Sequence, residues 1–313
     1  MKKRHTFFLI IILIVSGLCA AYMMSRPKNT VAQVNGGTLD RYPEFQSKYI
    51  KARDVAVWLP EGYKPGEPCD VLYMHDGQML FDSTTTWNHQ EWCIDEVMSR
   101  LISEGRIRRC MVVAINNTDD RLGEYFPSKT SQYVPEDQRK RVDVEDFAGD
   151  AYLQFVVKEL KPFIDEHYRP LTTREHTFMM GSSMGGLISL YALCEYPEVF
   201  GGVACLSSHL SMGYLGINMK QETWATAFRD YLEAHLPPAN ESLVYMDRGT
   251  EDFDADYGPY QSKVDVLFRN KGWDDAHYVT RVYNGDEHKE TCWAKRVHIP
   301  LQLLLAQQAE SQP

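Results

Sequence analysis

Three stretches of strand length, Asp70–His75 (DVLYMH), Cys110–Ile115 (CMVVAI) and His176–Met180 (HTFMM), are apolar almost throughout, with no alternation of polar and apolar residues. A strand with one wet face alternates with a period of two, so unbroken apolar runs belong to strands covered on both faces, as in a parallel sheet. Helical periods separate these runs. Glu91–Ser103 places Ile94, Val97, Met98 and Leu101 on one face, and Phe147–Tyr168 does the same with Leu153, Val156, Val157, Leu160 and Ile164.

The alternation continues with helix Met184–Glu195, strand Gly202–Leu206, helix Gln221–His235, strand Ser242–Met246, helix Tyr260–Lys271 and strand His277–Tyr283. A last helix begins at Lys289, and Pro300 should kink or split it. Ahead of the series, Arg53–Leu59 alternates Val55, Val57 and Leu59 on one face. Such a series predicts an α/β fold with a doubly wound, mostly parallel sheet in a single domain. At 44% hydrophobic and 12% aromatic residues, the 313-residue chain can fill the core of one.

The most informative short motif sits inside this series. Gly181-Ser182-Ser183-Met184-Gly185 fits G-x-S-x-G centred on Ser183, and it falls where a predicted strand gives way to a predicted helix. A serine on so tight a turn needs neighbours without side chains, which the glycines supply. Helix capping by Ser182 or Ser183 is the competing explanation, but it leaves Gly185-Gly186 in the first helical turn unexplained, where glycine costs stability.

A nucleophilic serine needs a histidine base and an acid to orient it. His288 lies in YNGDEHKE, between the last strand and the last helix, and therefore at the same sheet edge as Ser183; His209, after strand Gly202–Leu206, is the runner-up. The acid should follow strand Ser242–Met246, where Asp247, Glu251, Asp252, Asp254 and Asp256 cluster; Asp252 is expected, with Glu251 as its rival. The oxyanion donors expected are the N–H of Met184 and that of Gly77 or Gln78, in the loop after the first apolar strand. The long segment Asn116–Glu145 reads as a functional loop or lid, and its Arg121, Glu124 and Tyr125 are candidate substrate contacts.

The remaining features bound the setting. Residues 1–24 combine a basic start, an apolar run and small residues at Cys19-Ala20-Ala21, which reads as a signal peptide or an N-terminal anchor. Either implies an exported chain, periplasmic or extracellular, that meets membrane only through this segment if it is uncleaved. Residues 25–46 read as a tether, 47–307 as the catalytic domain and 308–313 as a tail. A net charge of −10 argues against nucleic acid as a partner. Six cysteines after Cys19 make disulfides available without any spacing that demands them, and no Cys/His cluster suggests a metal; no cofactor is expected.

Several of these stretches are similar to a known family. HDG at 75–77, GSSMGG at 181–186, GTED at 249–252 and EHKETCWAKR at 287–296 resemble one branch of the α/β-hydrolase fold, as do VWLPEGY at 57–63, RLGEYFP at 121–127 and ELKPFIDEHY at 159–168. That branch holds S-formylglutathione hydrolase (esterase D), feruloyl and acetyl-xylan esterases, and the siderophore esterases. The resemblance runs from about Gly37 to Leu305. It implies Ser183 as nucleophile, His288 as base and then acid, Met184 with Gly77 or Gln78 as oxyanion donors, and Asp252 as the acid, with Glu251 or Asp254 favoured by some relatives. The implied activity is hydrolysis of a small-molecule or glycan ester of carbohydrate, hydroxycinnamoyl or siderophore type. An acyltransferase with the same triad, or a non-catalytic binding module, is the alternative.

Overall fold

Eight strands form one sheet in the order β1-β2-β4-β3-β5-β6-β7-β8 in the computed structural model, which describes residues 33–213 and 219–307. The leader expected over residues 1–24 and the tail at 308–313 lie outside the described residues. The strands are β1 (Thr38–Phe45), β2 (Arg53–Leu59), β3 (Asp70–His75), β4 (Cys110–Ile115), β5 (Thr177–Ser182), β6 (Gly202–Leu206), β7 (Leu243–Arg248) and β8 (Tyr278–Val282). β2 runs antiparallel to both β1 and β4, and all other neighbours are parallel. The described residues belong to one compact unit.

The unbroken apolar runs have the expected cause. Along β3, Val71 and Tyr73 face one buried layer while Leu72 and Met74 face the other, and β4 divides Met111 and Val113 from Val112 and Ala114 in the same way. Helices cover both faces: α1 (Ile94–Ser103), α2 (Gly149–Phe155), which passes through a π turn at Val156–Leu160 into α3 (Lys161–Tyr168), α4 (Met184–Glu195), α5 (Gln221–His235), α6 (Gly258–Asn270), α7 (Glu290–Arg296) and α8 (His298–Leu304). The last helix does split, at Val297. A proline ring clashes with the carbonyl four residues earlier, here Arg296, which puts the break there rather than at Pro300 itself.

The expected tether is in part a strand. β1 pairs with β2 from Thr38 opposite Leu59 to Phe45 opposite Arg53, with a register shift between Tyr42 and Phe45 that accommodates Pro43. Tyr42 and Phe45 pack on Phe163 at 4.9 and 5.1 Å between ring centroids. An edge strand with a wet face and an internal proline shows little of the periodicity by which strands are recognised, so the domain begins earlier than residue 47. The segment 116–145 is not structureless either: it holds short helical turns at Arg121–Glu124, Ser128–Tyr133, Glu136–Arg139 and Val144–Asp146. Cys69, Cys93, Cys110, Cys194, Cys205 and Cys292 are all free thiols. Among the described residues no helix is long and apolar enough to cross a membrane.

Because β3 to β8 are parallel, the segments that follow them emerge at one edge of the sheet, the edge where ligands meet open α/β sheets. Asp76, Asn116, Ser183, Ser207, Gly249 and the segment leading to His288 all begin there.

Candidate active site

Ser183 stands between β5 and α4 with φ 56° and ψ −122°, a conformation strained for any residue with a side chain. Its neighbours leave no room for side chains. A Cβ on Gly181 would come within 2.8 Å of both the Gly185 carbonyl carbon and the His75 ring, and one on Gly186 within 2.3 Å of Ser208 Oγ. The turn is pinned on both sides: Ser183 N–H donates to the Leu206 carbonyl at 2.9 Å, and His209 N–H donates to the Ser183 carbonyl at 3.1 Å. The Ser183 side chain makes no capping bond. Ser182 is the last residue of β5 and is 4% exposed, so only Ser183 presents its hydroxyl at the edge.

His75 fills the space beneath this turn. Its Nδ1 pairs with the Tyr152 hydroxyl at 2.7 Å and its Nε2 with Ser189 Oγ at 3.1 Å. Burial pushes its pKa down to about 3. The unfolded chain takes a proton on this histidine below about pH 6.5 while the folded protein does not, so stability falls as pH drops from about 6.5 towards 3. The loss expected from His75 alone is about 2 kcal/mol by pH 5. Thermal melts of wild type and His75→Gln at pH 7 and pH 5 check this: the drop in Tm should be smaller in the variant, and equal drops would refute it.

Across the edge, the side chain of His288 is about one-tenth exposed, and its Nδ1–H donates to Asp254 Oδ1 at 2.6 Å. Donation from Nδ1 leaves Nε2 with a free lone pair. The other oxygen of Asp254 accepts from Ser207 Oγ at 2.6 Å and from Gly249 N–H at 2.5 Å. Burial alone would raise the Asp254 carboxyl, but the hydrogen bond and charge of His288, with the Ser207 and Gly249 donors, hold it below its ordinary value. Ser207 is itself fixed, since Trp293 Nε1 and Arg296 Nη2 donate to its oxygen at 2.9 and 3.0 Å. Arg296 is anchored in turn by buried Asp247, at 3.0 Å to each carboxylate oxygen.

The expected acid was Asp252, and here the structure differs. The N–H groups of Thr250 and Glu251 bond back to the Asp286 carbonyl, holding that stretch at the surface, and both Glu251 and Asp252 are exposed. Asp252 takes a left-handed φ of 54° and opens a tight turn, Asp252–Asp256, that carries Asp254 inward instead. No local signal separates Asp254 from its acidic neighbours; in the folded chain Asp254 and Tyr257, three residues apart, lie on the buried face.

The loop after β3 is equally constrained. Asp76 is left-handed at φ 54°, and a Cβ on Gly77 would come within 2.7 Å of the backbone at Ala114 and Ile115. Asp76 Oδ1 accepts from Arg121 Nε and Asn117 Nδ2, both at 2.6 Å, and its Oδ2 accepts from Arg121 Nη2 at 2.8 Å. Arg121, 26% exposed at its side chain, is thus the clamp on the turn that carries the Gly77 and Gln78 N–H groups. Glu124 and Tyr125, expected to touch substrate, are both buried. Glu124 is 2% exposed with both oxygens on Arg53, and Tyr125 is fully buried with its hydroxyl accepting from Asp76 N–H at 3.3 Å. A buried ion pair and a buried ring support the Asp76 turn from behind.

Tyr257, which the sequence does not single out, and His209, the runner-up base, complete the edge; both ring nitrogens of His209 are taken, by the Tyr257 hydroxyl and the Gly213 carbonyl. The Tyr257 hydroxyl bonds to His209 Nδ1 at 2.7 Å, and its ring stands edge-on to His288 with centroids 5.6 Å apart. Phe253, 64% exposed, stands edge-on to His288 at 5.7 Å from the solvent side. A separate cleft of about 690 Å³, lined by Tyr49, Lys51, Asp120 and Glu124 among others, contains none of Ser183, Asp254 and His288.

Comparison with known proteins agrees with this architecture. The Bacillus subtilis protein YbbA is 26% identical over 160 residues, covering 50% of this chain and 56% of its own length, so the chain spans little more than half of that relative. Among solved structures, a ferulic acid esterase superposes with a TM-score of 0.63 at 19% identity, covering 86% of this chain and 98% of its own. The enterobactin esterase FES of Shigella flexneri does so with a TM-score of 0.62 at 17% identity, covering 87% and 60%. These likenesses share the α/β-hydrolase fold. A family model described as "Putative esterase" matches residues 48–298, most of the chain, and the protein therefore belongs to that esterase family.

Proposed function

We propose that this protein is a serine carboxylic-ester hydrolase in which Ser183 is the nucleophile, His288 the general base and then acid, and Asp254 the orienting acid. The observation that carries the reading is the His288–Asp254 pair, whose geometry commits Nδ1 as donor and leaves Nε2 as a base at the edge where a strained turn holds Ser183. Ser183 attacks the ester carbonyl, its proton passes to His288 Nε2 and on to the leaving alcohol, and water then cleaves the acyl-enzyme. Met184 N–H, at the start of α4, is one oxyanion donor, and an N–H of the Gly77-Gln78 turn is the other. Asp76 and Arg121 set the position of that second donor.

For substrate, the supporting feature is the aromatic rim. Phe253 leans over the His288 edge, and Trp87, 82% exposed, neighbours Asn88, whose side chain bonds to Glu290 two residues beyond His288. Exposed rings beside a polar site suit esters whose acyl or alcohol part is itself flat or ring-shaped, which favours hydroxycinnamoyl, catechol-bearing siderophore or sugar esters over long acyl chains. A hydrolysis screen across acetyl, feruloyl, catecholate-siderophore and palmitoyl esters tests this, with Ser183→Ala as the blank. Feruloyl or catecholate esters should give the largest kcat/KM, and Phe253→Ala should raise their KM about fivefold, the worth of one aromatic contact, with little effect on the acetyl ester. A preference for palmitoyl ester would overturn the substrate assignment.

A further inference from the structure

Two buried carboxylates, Asp247 and Asp254, lie at the sheet edge that carries His288, and their partners divide them into different roles. Asp247 Oδ1 accepts from Arg296 Nη2 and the Ser207 N–H at 3.0 and 3.1 Å, and its Oδ2 accepts from Arg296 Nε and the Tyr245 hydroxyl, both at 3.0 Å. Its four bonds leave it no part in orienting a histidine. Asp254 is the carboxylate that meets His288, at 2.6 Å.

Ser207 joins the two. It follows β6 at a left-handed φ of 43°, which is strained for a residue with a side chain. Glycine would adopt that φ without strain, so what serine adds here is its hydroxyl. A hydroxyl has two lone pairs and one hydrogen. Trp293 Nε1 and Arg296 Nη2 fill both lone pairs, at 2.9 and 3.0 Å, which commits the hydrogen to Asp254 Oδ2 at 2.6 Å. All three bonds are buried.

The effect falls on the orienting carboxylate. Asp254 Oδ2 takes two donors, Ser207 Oγ–H and the Gly249 N–H, while Oδ1 takes the His288 Nδ1–H. Donors of this kind favour the carboxylate over the protonated acid. Two of them on one oxygen also fix the plane of the group and keep Oδ1 turned to His288. With Gly249 alone, Oδ2 would be held at a single point and the carboxylate could turn about it.

We propose that Ser207, aimed by Arg296 and Trp293, is a positioning residue that acts on the reaction through Asp254, and that Asp247 serves this arrangement by anchoring Arg296. The inference rests on the reading of Ser183, His288 and Asp254 given above. Ser207 exchanges no proton in the reaction; its hydrogen stays on the bond to Asp254 while His288 takes and returns the Ser183 proton.

A double-mutant cycle with Asp254→Asn tests this, read as kcat on p-nitrophenyl acetate. Ser207→Ala alone should lower kcat about tenfold, the effect of losing one hydrogen bond to a charged group, and leave KM within about twofold. In the Asp254→Asn background the same change should alter kcat by less than about twofold, because the carboxylate on which Ser207 acts is gone. The Trp293 ring stands edge-on to His288 at 5.1 Å, so a loss transmitted by packing would persist in that background. An equal loss in both backgrounds, or wild-type kcat in folded Ser207→Ala, would overturn the proposal. Ser207→Gly, which relieves the φ of 43°, gives the same readings if the alanine variant does not fold. An Asp254→Asn protein that kept full kcat would instead remove the reading on which the proposal rests.

Discussion

Ser183→Ala should lower kcat for a short p-nitrophenyl ester by about 10⁶-fold, the effect of losing the nucleophile where three residues act as a unit. KM should change little, because the hydroxyl is not expected to bind the ground state. The fold should survive: alanine keeps the Cβ that serine already carries at φ 56°, so the turn is no more strained than before. Ser182→Ala is the paired control. Ser182 lies buried at the end of the strand next to the nucleophile, and its replacement should leave activity within about fivefold, a packing effect of about 1 kcal/mol. A fluorophosphonate probe should label wild type and Ser182→Ala but not Ser183→Ala. Labelling of the Ser183→Ala protein would refute the assignment of the nucleophile.

Asp254→Asn should cost about 10⁴-fold in kcat, through the tautomer of His288 rather than through charge alone. In the native protein both Ser207 Oγ and Gly249 N–H donate to Asp254 Oδ2. The Gly249 donor cannot turn away, and Ser207 is bound to donate because Trp293 and Arg296 already donate to its oxygen. An asparagine must therefore present its carbonyl to these two donors and its NH₂ to His288. That orientation requires a bare Nδ1 and a protonated Nε2, so His288 can no longer accept the Ser183 proton. Asp252→Asn removes an exposed carboxylate and should stay within about twofold, as surface substitutions do. The reverse ranking of the two variants, measured as kcat on the same ester, would return the role to Asp252.

Much of this was legible in the chain itself. The apolar runs DVLYMH, CMVVAI and HTFMM have the length and composition of strands covered on both faces, and with the helical periods between them they point to a parallel α/β sheet. The glycines around Ser183 marked a turn too tight for side chains, and the segment order placed Ser183 and His288 at one edge. The edge strand β1 was hidden, because Pro43 and a wet face erase its period. The loop segment by itself shows nothing of the Arg53 ion pair and the Asp76 turn that bury Glu124 and Tyr125, which is why they pass for substrate contacts in the sequence.

The sequence by itself determined the elements, the order in which they emerge at the sheet edge and the residue types available there, because periodicity and turn chemistry are local. Only the tertiary structure decided which carboxylate meets His288 and which rings surround it. Four acidic residues lie within the ten that follow Asp247, and local rules do not rank them. A left-handed residue at Asp252 and one short turn rotate Asp254 and Tyr257 inward, onto partners more than 30 residues away in the chain. Non-local contacts of that kind depend on the packed sheet that brings β6, β7 and the His288 segment side by side.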